Sequence, residues 1–447
     1  MKINPDIFKA YDVRGVYPQE INEEVAYFIG RAFIKFLKKN KPKVIVSRDG
    51  RLSSSFLFKA LAKGIIDQGG EVINIGLSTS PMFYFTVAHF KLDGGINITA
   101  SHNPAQYNGF KMVQKGAIPI SGNSGLEEIK KLIIGKFIDQ KKGKITSKKV
   151  LKEYLKFNLK DFKLKIIKPL KIVIDTANAV PGIIIPKLFE KTNIKIYHLF
   201  SKLDGSFPNH SPDPLIKKNL KTLCQTIKAK KANLGVAFDG DGDRIIFIDE
   251  KGKAVSGDLI TALIAEIILR EYPKKSIFYD IRSSKIVKEV IEKKQGIPVE
   301  GRVGHSLIKE KMRQENIFFG GELSGHYYLK NHYFSDSPLF VLFKILEELS
   351  KTRTSFSEII KPYQKYFYSG EINFEVKDKQ KILKVLEEKF KEGTVLKIDG
   401  LKIDFPDWWF LVRPSNTEPV MRLIVEAKTK KLMNEKKKEL SSLIKAS

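Results

Sequence analysis

Three stretches of this sequence repeat one order of local structure: a short apolar strand, an acidic residue, and then a helical segment. The strands are predicted at 44–46, 171–175 and 277–280, with further strands at 72–75 and 194–199. The helices are predicted at 53–67, 183–191 and 286–294. Such alternation favours mixed or mostly parallel sheets covered by helices, with functional loops after the strand ends. The sequence therefore predicts three similar α/β domains.

The C-terminal part of the chain does not continue this order. Strand signals at 371–376, 401–404, 409–412 and 421–427 surround a helical stretch at 379–390 and precede a basic terminal helix. That layout predicts a smaller α+β domain. The length of 447 residues fits about three or four domains. We place the domains at 1–146, 147–250, 251–362 and 363–447.

The composition argues against a membrane or secreted protein. No apolar run approaches the roughly 18 residues that cross a bilayer, and the N-terminus lacks a hydrophobic signal region. Cys224 is the only cysteine, which excludes an internal disulfide and fits a reducing compartment. We therefore expect a cytoplasmic protein with no membrane partner.

The formal net charge of +29 raises the alternative of a protein that binds nucleic acid or another polyanion. The excess comes from 67 lysines spread along the chain, whereas proteins that read nucleic acids concentrate charge and use arginine heavily. We expect no specific nucleic-acid partner. Of the 12 arginines, six lie in or beside the segments described next: Arg14, Arg244, Arg282, Arg302, Arg413 and Arg422.

The segment 239–244 reads Asp-Gly-Asp-Gly-Asp-Arg and directly follows the apolar run 234–238. Three alternating carboxylates can converge on one hard divalent cation, and they would repel one another without it. The glycines permit a tight turn, and Arg244 adds a planar fork suited to phosphate. The segment predicts a magnesium site made by Asp239, Asp241 and Asp243, beside phosphate chemistry.

An EF-hand calcium loop is the main alternative for this segment. Asp239, Asp241, Asp243 and Glu250 fall at loop positions one, three, five and twelve. The sixth position should be glycine, but Arg244 stands there. The apolar residues 245–248 predict a strand where a helix would be needed. The arrangement strand, acidic turn, strand is therefore favoured.

Residues 99–104 read Thr-Ala-Ser-His-Asn-Pro and follow the apolar stretch 96–98. Ser101 is predicted to lie in a rigid loop, where a base or an electrophilic phosphate can make its hydroxyl reactive. His102 can polarise this hydroxyl, or its charge can balance a phosphoserine. Lys111 can act as a general acid or base if its pKa is lowered. A turn that satisfies only its own backbone is the alternative.

Two later segments combine groups that suit sugars and phosphates. Residues 320–326 read Gly-Gly-Glu-Leu-Ser-Gly-His, whose carboxylate, hydroxyl and imidazole suit sugar hydroxyls but offer too few ligands for a metal site. Residues 413–419 read Arg-Pro-Ser-Asn-Thr-Glu-Pro, whose guanidinium, hydroxyls and backbone N–H groups can cradle an oxyanion. A plain Pro/Ser/Asn turn is the alternative for the second segment.

Together and in this order, these segments resemble the α-D-phosphohexomutase superfamily, most closely its bacterial phosphomannomutase/phosphoglucomutase branch. The opening 8–15, Phe-Lys-Ala-Tyr-Asp-Val-Arg-Gly, is similar to the N-terminal signature of that family, and 304–309, Gly-His-Ser-Leu-Ile-Lys, resembles another motif. The resemblance runs from residue 8 to about 427. It implies three similar α/β domains with mixed sheets and a C-terminal α+β domain around a central cleft, each contributing one functional loop.

The resemblance also implies roles for individual residues. Ser101 would carry the transferable phosphoryl group and lie beside magnesium, which Asp239, Asp241 and Asp243 would hold. His102, Lys111, Arg14 and Arg244 would assist proton transfer and stabilise charge. Substrate contacts are implied for a larger set: Tyr11, Arg282, Gly304, His305, Glu322, Ser324, His326, Arg413, Ser415, Asn416 and Thr417.

The implied reaction interconverts hexose 1-phosphate and hexose 6-phosphate through a phosphoserine and a bound hexose 1,6-bisphosphate, which also serves as activator. Leu323 stands where the glucosamine-phosphate branch typically carries glutamine, so mannose or glucose phosphate is favoured and phosphoglucosamine mutase is the alternative. Two further positions depart from the family pattern: Arg282 stands in place of a common lysine, and the segment 301–303 replaces a more aromatic, polar stretch that would make different substrate contacts. We expect a monomer or dimer that acts on small sugar phosphates.

Overall fold

The computed structural model describes residues 4–162, 164, 167–352, 354–376, 378–414 and 420–446. The chain divides into two compact units. The first unit contains the chain up to Ser256 together with Lys309–Phe318 and Ser324–Ile359. The second unit contains Gly257–Ile308, Phe319–Leu323 and the chain from Ile360 onward.

The N-terminal sheet of the first unit has the strand order β1-β5-β4-β2-β3-β7, with β6 beside β5. Its strands are β1 (Val13–Val16), β2 (Lys43–Arg48), β3 (Glu71–Leu77), β4 (Gly94–Ile98), β5 (Tyr107–Gln114), β6 (Ile118–Pro119) and β7 (Ile145–Ser147). Strand β2 is parallel to β3 and β4, whereas β5 is antiparallel to β4 and β1. The sheet is therefore mixed, and the segment 99–106 turns the chain from β4 into β5.

Helices cover this sheet: α1 (Glu23–Phe36), α2 (Ser54–Asp67), α3 (Ser80–His89) and α4 (Leu126–Ile133). The Asn22 side chain accepts a hydrogen bond from the Val25 N–H and so caps the start of α1. Val25, Ile29 and Phe33 follow at helical spacing and are buried in the core against the sheet.

The second sheet, also in the first unit, has the order β12-β11-β10-β8-β9. Its elements are α5 (Leu151–Leu159), β8 (Lys171–Asp175), α6 (Ile185–Phe189), β9 (Lys195–Leu199), α7 (Lys221–Lys230), β10 (Leu234–Phe238), β11 (Ile245–Ile248) and β12 (Ala254–Val255). Strand β8 is parallel to β9 and β10, and β10 is antiparallel to β11. The segment 239–244 is thus a turn between two strands, as predicted, and the EF-hand alternative is wrong. Glu250 accepts hydrogen bonds from Ser357 instead.

The third part of the chain comprises α8 (Gly257–Glu271), β13 (Ser276–Asp280), α9 (Lys285–Lys293), β14 (Ile297–Gly301), α10 (His305–Gln314) and β15 (Phe319–Gly321). These elements belong to the second unit, except that α10 belongs to the first unit from Lys309 onward. Strand β13 lies between β14 and β15 and is parallel to both. Further along the chain come β16 (Tyr327–Leu329), β17 (Ser335–Asp336), α11 (Pro338–Lys351) and α12 (Phe356–Ile360). Strands β16 and β17 are antiparallel.

The C-terminal sheet belongs to the second unit and has the order β18-β23-β22-β21-β20, with β19 beside β23. Its elements are β18 (Phe367–Tyr368), β19 (Ile372–Glu375), α13 (Lys379–Lys389), β20 (Thr394–Leu396), β21 (Leu401–Asp404), β22 (Trp408–Pro414), β23 (Val420–Ala427) and α14 (Lys430–Ala446). The pairings are antiparallel. The predicted α+β layout is confirmed.

The predicted strands and helices are present, and one prediction needs correction. The helix expected at 183–191 is present but shorter, as α6 (Ile185–Phe189), and a separate 3₁₀ turn, Val180–Ile183, precedes it. Pro181 and Pro186 each occupy a first-turn position, where a missing N–H is tolerated, so each marks a separate start. The four domain limits stay a prediction. None of the helices in the described part of the chain combines the length and apolar character needed to cross a membrane.

Candidate active site

The loop between β4 and β5 holds Ser101 in an unusual backbone conformation. Ser101 has a φ of 50°, in the left-handed region that side-chain-bearing residues seldom adopt, and its N–H donates to Thr99 Oγ1 over 2.9 Å. The side chain is buried. Its Oγ donates to Asp239 Oδ2 over 2.7 Å and lies 3.2 Å from His102 Nδ1. The surrounding structure therefore fixes both the backbone and the hydroxyl of this serine.

Arg51 holds the serine loop in place through hydrogen bonds to its main-chain oxygens. Its side chain is fully buried, and its Nε donates to Asp49 Oδ2 over 3.0 Å. Its two terminal nitrogens donate to four main-chain oxygens of the loop, those of Ser101 (2.9 Å), Asn103 (2.6 Å), Pro104 (2.6 Å) and Tyr107 (2.9 Å). Sequence reasoning missed Arg51, although the scarcity of arginine in this chain was a signal that could have found it.

The three aspartates of the acidic turn converge. Asp239, Asp241 and Asp243 are each at most 1% exposed and offer carboxylate oxygens within 4.8 Å of one another. Lys111 Nζ lies 2.6 Å from Asp241 Oδ2 and 2.5 Å from Asp243 Oδ2, and the Ser80 hydroxyl also donates to Asp241. The Oδ1 atoms of Asp241 and Asp243 are buried and have no hydrogen-bonding partner among the described residues.

The acidic turn approaches the serine loop very closely at a glycine. A Cβ atom built on Gly240 would lie 2.3 Å from the Ser101 carbonyl oxygen, far inside van der Waals contact. Gly242 adopts a φ of 68°, which a residue with a side chain would adopt only under strain. The alternating glycines therefore allow both the tight turn and the short distance between Asp239 and Ser101.

The electrostatics of the turn favour a cation. Burial, together with Asp243 and Asp241, raises the pKa of Asp239 well above its usual value. Burial also disfavours ionisation of Asp241 and Asp243, but the Lys111 ammonium outweighs it and lowers both pKa values. Three buried carboxylates with two unpaired oxygens thus fit a hard divalent cation, for which carboxylate oxygen is the preferred ligand.

Burial and neighbouring charges shift the pKa values of Lys111 and His102, two predicted site residues near Ser101. Burial alone would lower the pKa of Lys111, but Asp241 and Asp243 raise it well above its usual value, which favours the ammonium form over the lowered pKa that a general base requires. The positive charge of Arg244 and burial lower the pKa of His102 well below its usual value. His102 is therefore a neutral imidazole that can polarise Ser101 but adds no charge.

Arg14 contacts the serine loop, and Arg244 contacts the acidic turn. Arg14 donates from Nε and Nη2 to Asp12 Oδ2 over 2.9 and 2.8 Å, and from Nη1 to Asn103 Oδ1 over 2.7 Å. The Arg244 N–H donates to Asp239 Oδ1 over 3.1 Å, and its Nε donates to His326 Nε2 over 3.0 Å. The first unit therefore brings together the predicted serine, lysine, histidines, arginines and aspartates.

The second unit holds a separate group of predicted residues around Asp280. Arg282 Nε lies 2.9 Å from Asp280 Oδ1, and Arg282 Nη2 lies 3.8 Å from Glu322 Oε2. Burial would lower the pKa of Arg282, but Asp280 outweighs it and raises the value. Gly304, with a φ of 127°, precedes α10, and half-buried His305 is the first residue of that helix.

The remaining predicted residues are placed as follows. Arg413 lies at the end of β22, with Nη1 at 3.2 Å from Asp399 Oδ2 and Nη2 at 3.6 Å from Glu371 Oε1. Its buried Nε has no hydrogen-bonding partner in the described part of the chain. Tyr11 is half-buried in the bend before β1, and Ser324 is half-buried between β15 and β16. Three predicted phosphate contacts lie outside the described residues: Ser415, Asn416 and Thr417.

Comparison with protein-family models gives four consecutive matches that cover most of the chain. Residues 5–136, 152–252 and 256–366 match the phosphoglucomutase/phosphomannomutase alpha/beta/alpha domains I, II and III. Residues 371–442 match the phosphoglucomutase/phosphomannomutase C-terminal domain. The four-domain α/β architecture with mixed sheets is that of these proteins.

Individual relatives are similar along their whole length. A phosphomannomutase of Methanocaldococcus jannaschii is 39% identical, over 98% of this chain and 97% of the relative. A phosphomannomutase/phosphoglucomutase of Pseudomonas aeruginosa is 34% identical, over 98% and 96%. The crystal structure of a phosphoglucomutase/phosphomannomutase family protein from Burkholderia thailandensis superimposes with a TM-score of 0.92 at 33% identity, over 100% of this chain and 98% of that one. The chain therefore belongs to the phosphoglucomutase/phosphomannomutase family of the α-D-phosphohexomutase superfamily.

Proposed function

We propose that this protein is a mutase that interconverts hexose 1-phosphate and hexose 6-phosphate through a phosphoserine at position 101. The observation that carries the proposal is the contact of Ser101 Oγ with Asp239 Oδ2 over 2.7 Å, beside the buried pair of Lys111 with Asp241 and Asp243. A hydroxyl, a cation and a carboxylate cluster at one buried point suit phosphoryl transfer, in which catalysis depends on positioning and charge stabilisation. Relatives over the full length carry the names phosphomannomutase and phosphomannomutase/phosphoglucomutase.

We assign magnesium to the three aspartates, with Ser101 Oγ beside them. The unpaired Oδ1 atoms of Asp241 and Asp243 and the raised pKa of Asp239 support this assignment. When bound, the cation offsets negative charge on the transferred group. A trace of hexose 1,6-bisphosphate would serve as activator, because it can place a phosphoryl group on Ser101.

The first transfer moves the phosphoryl group from Ser101 to the free hydroxyl of the bound hexose phosphate. The sugar oxygen forms a bond to phosphorus, the bond from phosphorus to Ser101 Oγ breaks, and a hexose 1,6-bisphosphate results. The sugar hydroxyl loses one proton and Ser101 Oγ gains one, so the step is balanced. The neutral imidazole of His102, 3.2 Å from Ser101 Oγ, is placed to exchange the serine proton, while Lys111, Arg14 and Arg244 stabilise charge.

The second transfer returns the other phosphoryl group of the bisphosphate to Ser101, so the intermediate must present its opposite end. We assign the sugar hydroxyls to His305, Glu322, Ser324 and His326, and the substrate region also to Tyr11, Arg282 and Gly304. The non-reacting phosphate is assigned to Arg413, Ser415, Asn416 and Thr417. The buried Arg413 Nε without a hydrogen-bonding partner among the described residues supports the last assignment.

We propose mannose and glucose phosphates as substrates. The support is the apolar Leu323 in the sugar-binding segment and the names of the relatives. Glucosamine phosphate is the second candidate within the same reaction class.

Phosphorus NMR tests the proposal directly. Mannose 1-phosphate and, in parallel, glucose 1-phosphate are incubated with magnesium, a trace of glucose 1,6-bisphosphate and the full chain. We expect 6-phosphates with the wild type and with the control Ser206→Ala, whose hydroxyl lies on the surface, but not with Ser101→Ala. Release of inorganic phosphate would identify a phosphatase instead. No conversion of either sugar would overturn the proposal for those sugars, and glucosamine 1-phosphate would be tested next.

A further inference from the structure

A fully buried lysine lies close to the site but has no part in the proposed reaction. Lys309, on α10, is 1% exposed, and its Nζ lies 2.5 Å from Asp336 Oδ2. The ammonium also sits 4.1 Å from the centre of the Tyr84 ring, close enough for a cation–π contact. A lysine is seldom buried this completely unless its charge is matched, and Asp336 supplies the matching charge. What this buried ion pair does for the neighbouring site is the question that follows.

Asp336 links Lys309 to one of the predicted site residues. Burial disfavours the ionised carboxylate, but Lys309 and His326 together outweigh burial and lower the pKa of Asp336 to about 2. The second oxygen of this carboxylate, Oδ1, lies 3.0 Å from His326 Nδ1. Lys309 therefore keeps Asp336 in the form that can only accept a hydrogen bond from His326.

The opposite side of the His326 ring faces a donor. Arg244 Nε donates to His326 Nε2 over 3.0 Å, and a guanidinium has no capacity to accept. Nε2 must then carry the lone pair, and Nδ1 carries the hydrogen that is donated to Asp336. The Tyr328 ring lies nearly parallel to the His326 imidazole, with 6.1 Å between the ring centres and 7° between the ring planes.

We infer that Lys309 and Asp336 are positioning residues that fix His326 in its Nδ1–H tautomer, so that Nε2 holds the Arg244 side chain beside the acidic turn. Neither residue needs to touch the substrate. The main-chain N–H of Arg244 donates a hydrogen bond to Asp239 Oδ1. The series of contacts from Lys309 through Asp336 and His326 to Arg244 therefore ends at the acidic turn, which approaches Ser101. The geometric part of the inference stands by itself, and its effect on turnover rests on the proposed function.

A second metal site is the competing explanation for this cluster. Ligand atoms of Asp243, His326 and Asp336 do lie within 4.8 Å of one another. However, Lys309 Nζ is 2.5 Å from Asp336, and Lys111 Nζ is 2.5 Å from Asp243. His326 also offers no free ligand atom, because Nε2 accepts from Arg244 and Nδ1 faces Asp336, so a metal ion would have to displace these contacts as well as the Lys309 ammonium.

The tautomer can be measured without any substrate. Full-length protein is labelled with ¹⁵N-histidine, and long-range ¹H–¹⁵N spectra of the imidazole rings are recorded, with the His326 signals assigned from a His326→Gln variant. The wild type should show a protonated Nδ1 and an unprotonated Nε2 at His326. A protonated Nε2 in the wild type would overturn the inference, whether or not the protein is a mutase.

Variants separate positioning from stability. Lys309→Met leaves the Asp336 carboxylate buried without its ammonium partner and can fail to fold, whereas the double variant Lys309→Met/Asp336→Leu removes both charges and should unfold near the wild-type temperature. In the double variant we expect tautomer exchange at His326 and a fall in kcat of about tenfold to a hundredfold, as for other residues that orient a site group. KM should change little, because the substrate is not touched.

The control is Lys311→Met, which removes a partly exposed lysine from the same helix and should leave both spectra and kcat unchanged. Wild-type kcat and an unchanged His326 spectrum in the double variant would show that the buried pair serves only stability. A correct tautomer in a wild type with no mutase activity would retain the geometric inference and reject the proposed function instead.

Discussion

Lys111 Nζ lies 2.5 Å from Asp243 Oδ2, and both side chains are almost completely buried. The Lys111 ammonium therefore neutralises part of the negative charge that we also assign a divalent cation to neutralise. We predict that Lys111→Met binds Mg²⁺ more tightly than the wild type, because one competing positive charge is removed. Turnover should nevertheless fall by about a hundredfold or more, since charge on the transferred phosphoryl group is less stabilised.

Calorimetric titration with Mg²⁺ and steady-state rates at saturating Mg²⁺ check both parts. Lys115→Met, which removes an exposed lysine shortly after β5, is the matched control. Weaker Mg²⁺ binding in Lys111→Met would show that the lysine supports the metal site and does not compete with it.

The contact between Gly240 and Ser101 makes a second prediction. A methyl group on Gly240 would meet the Ser101 carbonyl oxygen at 2.3 Å, so Gly240→Ala must push the acidic turn away from the serine loop. A displacement of about 1 Å at a reacting centre can cost about a hundredfold in rate. We expect kcat to fall by that order while the far-ultraviolet circular dichroism stays that of the wild type.

Gly122→Ala is the control, because the added Cβ would have only one neighbour within 4 Å, at an ordinary contact distance of 3.5 Å, and the φ of Gly122 is not in the left-handed region. Equal kcat in the two alanine variants would show that the close approach has no catalytic importance.

The five hydrogen bonds donated by the Arg51 side chain predict a large effect of a charge-conserving change. Lysine keeps the positive charge, but it cannot reach four main-chain oxygens and Asp49 with a single ammonium group. We expect Arg51→Lys to destabilise the first unit by about 3 kcal/mol, because buried carbonyl oxygens lose their donors. Phosphorylation of Ser101 by glucose 1,6-bisphosphate, followed by intact-protein mass spectrometry, should be slower.

Arg48→Lys, a change at a half-buried arginine that stacks on Phe58, controls for general loss of arginine packing. Thermal unfolding compares the two variants. A wild-type midpoint and phosphorylation rate in Arg51→Lys would contradict the assigned role.

Acid should destabilise the protein through His332. Burial, with a smaller effect of Lys160, lowers the pKa of His332 to about 3 in the folded protein. In the unfolded chain the same side chain has the ordinary histidine pKa of 6.5. Because the pKa is lower in the folded protein, the contribution of His332 to the free energy of unfolding is complete above pH 6.5 and is lost as the pH falls from 6.5 toward 3. The complete loss from this one group amounts to roughly 5 kcal/mol.

His332→Phe keeps an aromatic ring between Phe157 and Phe340 and removes the titrating group. Its unfolding midpoint should therefore fall less than that of the wild type between pH 6.5 and pH 4.5. Parallel curves for the two proteins would show that His332 is not the acid-sensitive group.

The strands, the helices and the principal candidate site residues could be predicted from the sequence because each depends on a short stretch of consecutive residues. The serine loop and the acidic turn follow apolar strands, and their residue types indicate their chemistry without knowledge of distant partners. The raised pKa of Lys111 was not accessible, because it arises from Asp241 and Asp243, which lie about 130 positions away in the chain. The same holds for Lys309 and Asp336, whose roles depend on side chains from three separate segments.

The fixation of Ser101 has a consequence for the kinetics of both transfers. Arg51 donates to its carbonyl oxygen, Thr99 Oγ1 accepts from its N–H, and Asp239 accepts from its hydroxyl. In the proposed reaction Ser101 therefore keeps its position, and the bound sugar phosphate is the part that must move. One set of groups then serves the 1-position and the 6-position of the sugar alike. A substitution in those groups should slow the forward and the reverse conversion by the same factor. The equilibrium constant between the two sugar phosphates should stay unchanged, because it depends only on the free energies of the sugar phosphates.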